Sequence, residues 1–471
     1  MEVIPPERFP ERNARAFVDF LTYCQEVARK KKRPQLASVC LRVKHIDPLA
    51  VLESIYEEQQ LHFYLERPQD EEALAGAEAV VEGRFSGQNR FTEVREFAAD
   101  ISENTIAVGD LGASSTGPKF FCAFTFEEDV SSEEAGFHPA TVFVPRWQVE
   151  RRGGAFYAVA NTLIAADSDL NALAARILGA HGKFSGFSYS SVNTGEPPKV
   201  MKTTEVRSKP FEASVVEALE SIAGEDYEKI VLSRAIDATA DKSFIPLETV
   251  NRLRERFPSC FCFSINNGEG QSFIGATPER LVGCRDEILE TEALAGSAKR
   301  GSNAREDAQR AAELLSSDKD LREHRMVIES IRQRLSDLGI EPDIADFPQI
   351  LKLANVQHLR TPIQARIPEG LHLLDVAKAL HPTPAVGGRP RAKAVPQIAS
   401  LEGFSRGLFA GLVGWFDMAG QGDLAVGIRS GLFSGNVARL YAGAGIVRGS
   451  DPDRERAETD MKLRALEEAI Q

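Results

Sequence analysis

Residues 228–235 read EKIVLSRA, a β-type run headed by a lysine. Isoleucine, valine and leucine in succession are residue types that fill the inside of a sheet, and alternation places Lys229, Val231, Ser233 and Ala235 on one face. If that face points inward, Lys229 is a buried amine. Lysine is so rarely buried that the plain reading is an exposed strand end with its charge in water.

Further strand-like runs surround this one: FCFSI, SFIGA, LAVGIRSGLF and ARLYAGAGIV, with long helical patterns between them. Several strands in succession followed by helices predict an α+β fold with largely antiparallel sheets, not a doubly wound parallel one. Residues 1 to about 190 hold strands such as LASVCLRV and LHFYLE, a helical stretch near 164–180 and the loop GDLGASSTGPK, without a constellation of reactive groups. SYSSVNTGEPPK (188–199) is expected to be a surface connection. The expected organisation is an N-terminal scaffold half, 1–200, and a catalytic half, 205–468, integrated in one compact fold.

At 471 residues the chain exceeds the usual single-domain length. Hydrophobic content of 43% and charged content of 27% are ordinary for a globular protein. A net charge of −13 argues against nucleic acid as a partner but leaves room for a local cationic pocket. The basic run RKKKR at 29–33 reads as a solvated helix end before Pro34. Six cysteines without a CxxC pair describe neither a disulfide framework nor a zinc site, and Cys260 and Cys262 fit small apolar positions on one strand face in a reducing compartment. The start, MEVIPPERFPERN, shows no apolar signal segment, and no run is long enough to span a bilayer, so a cytoplasmic protein without membrane contact is expected.

Two helices carry the first chemical signal. One is expected from about Ser317 to Leu338, capped by Ser317, with an apolar stripe through Val327, Ile331 and Leu335 and with Asp320 and Glu323 sharing a face. The other opens at SDPDRERAET, where Asp451 caps, Pro452 suits the first turn, and Glu455, Glu458 and Lys462 share a face. The helix macrodipole alone explains acidic residues in a first turn. Two such faces brought together make an oxygen-rich site suited to Mg²⁺.

A second signal is a set of anion-friendly segments. ETEALAGSAKRG (290–301) sets Gly296 and Ser297 after a strand, and YAGAGIV (441–447) offers Gly443, Ala444 and Gly445, where backbone N–H groups can hold a carboxylate. Tight turns or close strand packing explain the same glycines. Arg429, in GIRS, needs either an internal partner or a bidentate carboxylate. In GATPER (275–280) the strand breaks at Pro278. Glu279 then projects into solvent or into a cleft, where burial raises its pKa and suits it to general-acid work. His358 in VQHLRT and His381 in HPTPAVGG are further hydrogen-bonding groups, each with a purely structural alternative.

Taken in order, EKIVLSR, GATPER, TEALAGSAKRG, SDKDLREH, VQHLRT, LHPTPAVGG, SRGLFAGLVGW, AVGIRS, YAGAGIV and SDPDRERAETDMK resemble the catalytic domain of the chorismate-utilising enzymes across roughly 205–468. The resemblance implies a large two-layer sandwich of mainly antiparallel sheets with helices packed outside. Within the family the chain is most similar to the isochorismate synthases, since members that add water to chorismate carry a lysine where Lys229 stands. LAGS, with leucine, agrees, against the PIAGT common in anthranilate synthases.

The implied activity is Mg²⁺-dependent isomerisation of chorismate to isochorismate by water addition at C2 and loss of the C4 hydroxyl, for menaquinone more than siderophore biosynthesis, by a monomer. The resemblance makes Lys229 the general base and Glu279 the general acid. Glu323, Glu455 and Glu458 are the implied Mg²⁺ ligands with Asp320 behind them; Gly296, Ser297, His358, Arg429, Gly443, Ala444, Gly445 and Lys462 hold the substrate. To act as a base Lys229 must lose its proton, which a neighbouring cation such as Arg429 favours, whereas desolvation must keep a proton on Glu279. The alternatives are a salicylate synthase, against which Thr361 and Phe409 speak, an anthranilate or aminodeoxychorismate synthase, and a catalytically silent chorismate-binding protein.

Overall fold

The structure, a computed structural model, describes residues 1–4, 14–55, 57–111, 116–185, 196–206, 209–354 and 356–470. Most of the connection expected at 188–199 lies outside the described residues. The strand Lys229–Ala240 pairs antiparallel with Val437–Val447 over nearly its whole length, with Val231 opposite Gly445 and Ser233 opposite Gly443. Its other edge meets Gly388–Arg389 at Lys229 and Ile230, and Val200–Glu205 from Ile236 onward.

Among the described residues, twenty-two strands join into one hydrogen-bonded network. The parallel pairings in it are those of Thr105–Gly109 with Glu2–Ile4 and with Gln35–Val43, so the antiparallel α+β reading holds. Ladders cross between the two halves of the chain: Leu61–Arg67 pairs with Phe261–Asn267, and Lys119–Phe124 with Leu412–Asp417.

Alternation along these strands sorts the core. Phe63 and Leu65 join Phe121, Phe263 and Phe273 in the main cluster, where Phe63 stacks on Phe121 at 4.6 Å. Tyr64, Cys262 and Ile274 point the other way, into a second cluster beneath helices Pro48–Ile55 and Pro246–Arg256. Each such aromatic contributes about 1.5–3 kcal/mol on full burial, so the sheet faces hold both the layers and the covering helices. All six cysteines are buried and free. The basic run closes helix Ala14–Lys31, as expected. No described helix is long and apolar enough to cross a membrane.

Both site helices form where their caps predict. Asp318–Asp337 starts at Ser317, whose side chain accepts from the Asp320 amide, and buries Val327, Ile331 and Leu335. Pro452–Glu467 starts at Asp451, whose side chain accepts from the Arg454 amide.

Two local readings change. Gly296 is not in a loop after a strand: it is a bulge inside Ile288–Lys299, where the pairing with Val356–Arg366 slips between Ala295 and Ser297 and the glycine takes φ +80°. Gly443–Gly445 is no turn either but the middle of Val437–Val447. Ala444 lies opposite Leu232 and belongs to the main core, so its side chain faces away from the glycines' side of the strand.

Candidate active site

The strand Lys229–Ala240, the Gly296 bulge, the Val356–Arg366 strand and the two capped helices line one open cavity of about 130 Å³. Alternation sends Val231 and Ser233 to its wall. Lys229 shares their face and is fully buried, so the exposed-end reading fails.

The Lys229 Nζ donates to Glu323 Oε1 at 2.7 Å. The cation expected beside it, Arg429, is elsewhere and bonds His358. The bridge passes directly over Gly445, where a Cβ would lie 2.9 Å from Glu323 Oε1 and 3.0 Å from Lys229 Cε. Glycine is therefore required by close approach, not by a turn. Burial pushes the Glu323 carboxyl up, but the Lys229 ammonium wins and holds it below its ordinary value.

Glu279 follows the break at Pro278, lines the cavity and is buried. Desolvation and the nearby Glu292 push its pKa up to about 8, against the opposing pull of Lys229, Lys462 and a Thr383 hydrogen bond. This is the direction a general acid needs near neutral pH.

The anion end of the cavity is built from a chain of polar contacts. Arg429 Nη2 donates to His358 Nε2 at 2.5 Å, which makes that nitrogen an acceptor and leaves the proton on Nδ1, 2.9 Å from Ser297 Oγ and 3.3 Å from the Gly296 carbonyl. Burial and the Arg429 charge hold His358 neutral, well below its ordinary pKa. Arg429 is buried, with backbone φ +49°, and its Nη1 has no hydrogen-bond partner. An unpaired buried guanidinium nitrogen on a cavity wall fits an incoming carboxylate. Lys462 Nζ bonds Glu458 Oε1 at 2.8 Å and the Gly443 carbonyl at 2.8 Å.

Four carboxylates, Asp320, Glu323, Glu455 and Glu458, converge on the same cavity. Lysines hold three of them: Lys229 on Glu323, Lys462 on Glu458, and Lys319 on Glu455 at 3.5 Å. Among the described residues no three His, Cys, Asp or Glu groups gather closely enough to ligate an ion as they stand. Their chemistry nonetheless fits Mg²⁺, since every donor is a hard oxygen. Burial and then Glu458 raise the Glu455 carboxyl, and burial with Glu323 and Glu458 raises Asp320 despite a bond from Ser317. Carboxylates that repel one another in this way mark surplus negative charge.

His381 does not join the site. Its Nε2 bonds the Ala410 carbonyl at 2.9 Å, its ring packs near Phe91 and Phe126, and burial lowers its pKa to about 3. Ala444 is likewise absent from the cavity wall.

A family model described as chorismate binding enzyme matches residues 20–471. The chain belongs to the chorismate-binding enzymes. Among curated relatives, the salicylate biosynthesis isochorismate synthase of Pseudomonas aeruginosa is 32% identical over 445 residues, covering 94% of this chain and 92% of its own. Isochorismate synthase MenF of Bacillus subtilis is 29% identical over 466 residues, covering 97% and 98%. The solved structure of the menaquinone-specific isochorismate synthase MenF of Escherichia coli aligns with a TM-score of 0.76 at 27% identity, over 96% of this chain and 100% of that one.

For a chorismate-binding enzyme, sequence reasoning missed several wall residues. Lys319 lines the cavity and bridges Glu455. Arg406 and Glu402 form a fully buried ion pair, with Nη2 to Oε1 at 2.6 Å and Nε to Oε2 at 3.0 Å, and Arg406 lines the cavity. Their four-residue spacing in LEGFSR was the available signal. Of the two positions that speak against a salicylate synthase, Phe409 lines the cavity and Thr361 bonds His324 Nε2 at 2.7 Å away from its wall.

Proposed function

We propose that the protein is a Mg²⁺-dependent isochorismate synthase that adds water at C2 of chorismate and expels the C4 hydroxyl. The observation that carries this reading is a buried amine, Lys229, on the strand face whose next residues line the cavity, together with a buried carboxyl on the cavity wall, Glu279, which desolvation keeps protonated near neutrality against the pull of the Lys229 charge. The full-length relatives named as isochorismate synthases support it.

In the proposed step Lys229 first gives up the proton it holds against Glu323, and its neutral Nζ then takes a proton from water as the water oxygen bonds C2. The ring double bond shifts, the C4–O bond breaks, and Glu279 gives its proton to the departing oxygen, which leaves as water. One water enters and one leaves, so the net change is isomerisation, and the proton gained by Lys229 must return to Glu279 between turnovers. Arg429, through its unpaired Nη1, and Lys462 hold the substrate carboxylates; His358 and Ser297 fix the Arg429 fork. Glu323, Glu455 and Glu458, with Asp320 behind them, would hold Mg²⁺, which would supply positive charge for a dianionic substrate.

The test is to incubate the purified protein with chorismate and Mg²⁺ and identify products by mass and fluorescence. Isochorismate in equilibrium with chorismate is expected. Stoichiometric salicylate and pyruvate would make it a salicylate synthase, and no turnover a binding protein. We assign the product to menaquinone biosynthesis, supported by the likeness to the menaquinone-specific enzyme over 96% of this chain, against the salicylate-biosynthesis relative that matches 94% of it. Deleting the gene should deplete menaquinone; unchanged levels would reassign the pathway.

A further inference from the structure

Ser233 lies four residues beyond Lys229 on the same face of the strand and lines the cavity. Its hydroxyl is fully buried and has no hydrogen-bond partner. The residue opposite is Gly443, where a Cβ would stand 3.0 Å from the Ser233 Oγ, so the facing strand brings no side chain against the hydroxyl. The Gly443 carbonyl is taken by Lys462 Nζ at 2.8 Å, which brings an ammonium to the same stretch of wall.

The backbone that carries this hydroxyl is held by charge. Between the residues paired to Gly388–Arg389 and those paired to Val200–Glu205, the strand edge has no neighbouring strand at Ser233 among the described residues. Glu402 Oε1 accepts from the Ser233 amide at 2.6 Å, and Arg406 Nη2 donates to the Val231 carbonyl at 2.8 Å. The buried Glu402–Arg406 pair thus substitutes for a missing strand and fixes the direction in which Ser233 faces.

A buried, unsatisfied hydroxyl destabilises the protein, and a structural role for Ser233 would have supplied it with a partner. We propose that Ser233 is a further substrate-contacting residue, its hydroxyl donating a hydrogen bond to a carboxylate oxygen of the bound substrate. The inference rests on the isochorismate synthase reading, and it places substrate within reach of Ser233, beside Lys462.

Ser233→Ala and Ser233→Cys test it, with wild-type turnover of chorismate measured alongside. Loss of a hydrogen bond to a charged acceptor should raise KM for chorismate about 10- to 100-fold with kcat changed less than threefold, because the contact is made equally before and during reaction. In the same preparation Ser233→Ala should unfold at an equal or higher temperature than wild type without substrate, since an unsatisfied hydroxyl is gone. Unchanged KM, or a fall in kcat alone, would overturn the proposal, as would a lower unfolding temperature for both variants. A wild-type protein that does not turn over chorismate would instead refute the reading on which the inference rests.

Discussion

Replacing Glu279 with glutamine removes a titration that the fold pushes far from its ordinary range. Burial and Glu292 carry the carboxyl from 4.5 to about 8. The folded-state value lies above the unfolded one, so the contribution of Glu279 to stability is fully present below about pH 4.5 and is lost as pH rises toward 8. At 1.36 kcal/mol per unit, that loss is about 4 kcal/mol between pH 5 and pH 8, an upper figure because the unfolded carboxyl is only partly ionised at the low end and the folded one half ionised at the high end. Glu279→Gln should therefore resist urea better than wild type at pH 8, with an advantage that shrinks toward zero or reverses at pH 5. The same variant should lose about 10²- to 10⁴-fold in turnover, since an amide has no proton to give. Wild-type turnover should fall as pH rises through about 8, where Glu279 ionises. Urea midpoints at several pH values, with product assays on the same preparations, decide the matter. A stability difference that does not change with pH, or a variant with wild-type turnover, would refute the reasoning.

Three further outcomes follow from the geometry. Glu402→Ala leaves Arg406 charged, buried and unpaired beneath the cavity, which should cost about 3–5 kcal/mol in urea unfolding; a loss below 1 kcal/mol would mean that water reaches the guanidinium. Gly445→Ala places a methyl group within 2.9–3.0 Å of Glu323 and Lys229, so turnover should collapse while the circular-dichroism spectrum is retained. Chelation should abolish turnover and Mg²⁺ restore it, and Glu455→Ala with Glu458→Ala should weaken Mg²⁺ binding at least tenfold by calorimetry; turnover in excess chelator would remove the metal from the account.

The features legible in the sequence were those specified locally. Ser317 and Asp451 announce their helices because an N-cap side chain bonds an amide within the next few residues. The mostly antiparallel arrangement followed from strand succession and alternation. Gly296 was misplaced because a glycine after a strand signals a loop, whereas here it makes a bulge, and between the two readings of Gly443–Gly445 the close-packing one holds, since Gly445 clears space for a salt bridge arriving from a helix about 120 residues earlier in the chain. The partner of Lys229 was misassigned for the same reason: whether Glu323 or Arg429 meets it depends on how the helix Asp318–Asp337 docks, which no local pattern contains. The Glu402–Arg406 pair escaped notice because buried charge looks like surface charge until the strand edge it completes is known.

With water as the nucleophile and Lys229 as its base, the new C2 oxygen must come from solvent. Turnover of unlabelled chorismate in H₂¹⁸O, stopped before the reaction reverses, tests this most directly. Isochorismate carrying one ¹⁸O in its C2 hydroxyl, formed by wild type and absent with Lys229→Ala, is the expected result. Isochorismate without label, or labelled product from Lys229→Ala at the wild-type rate, would contradict the account.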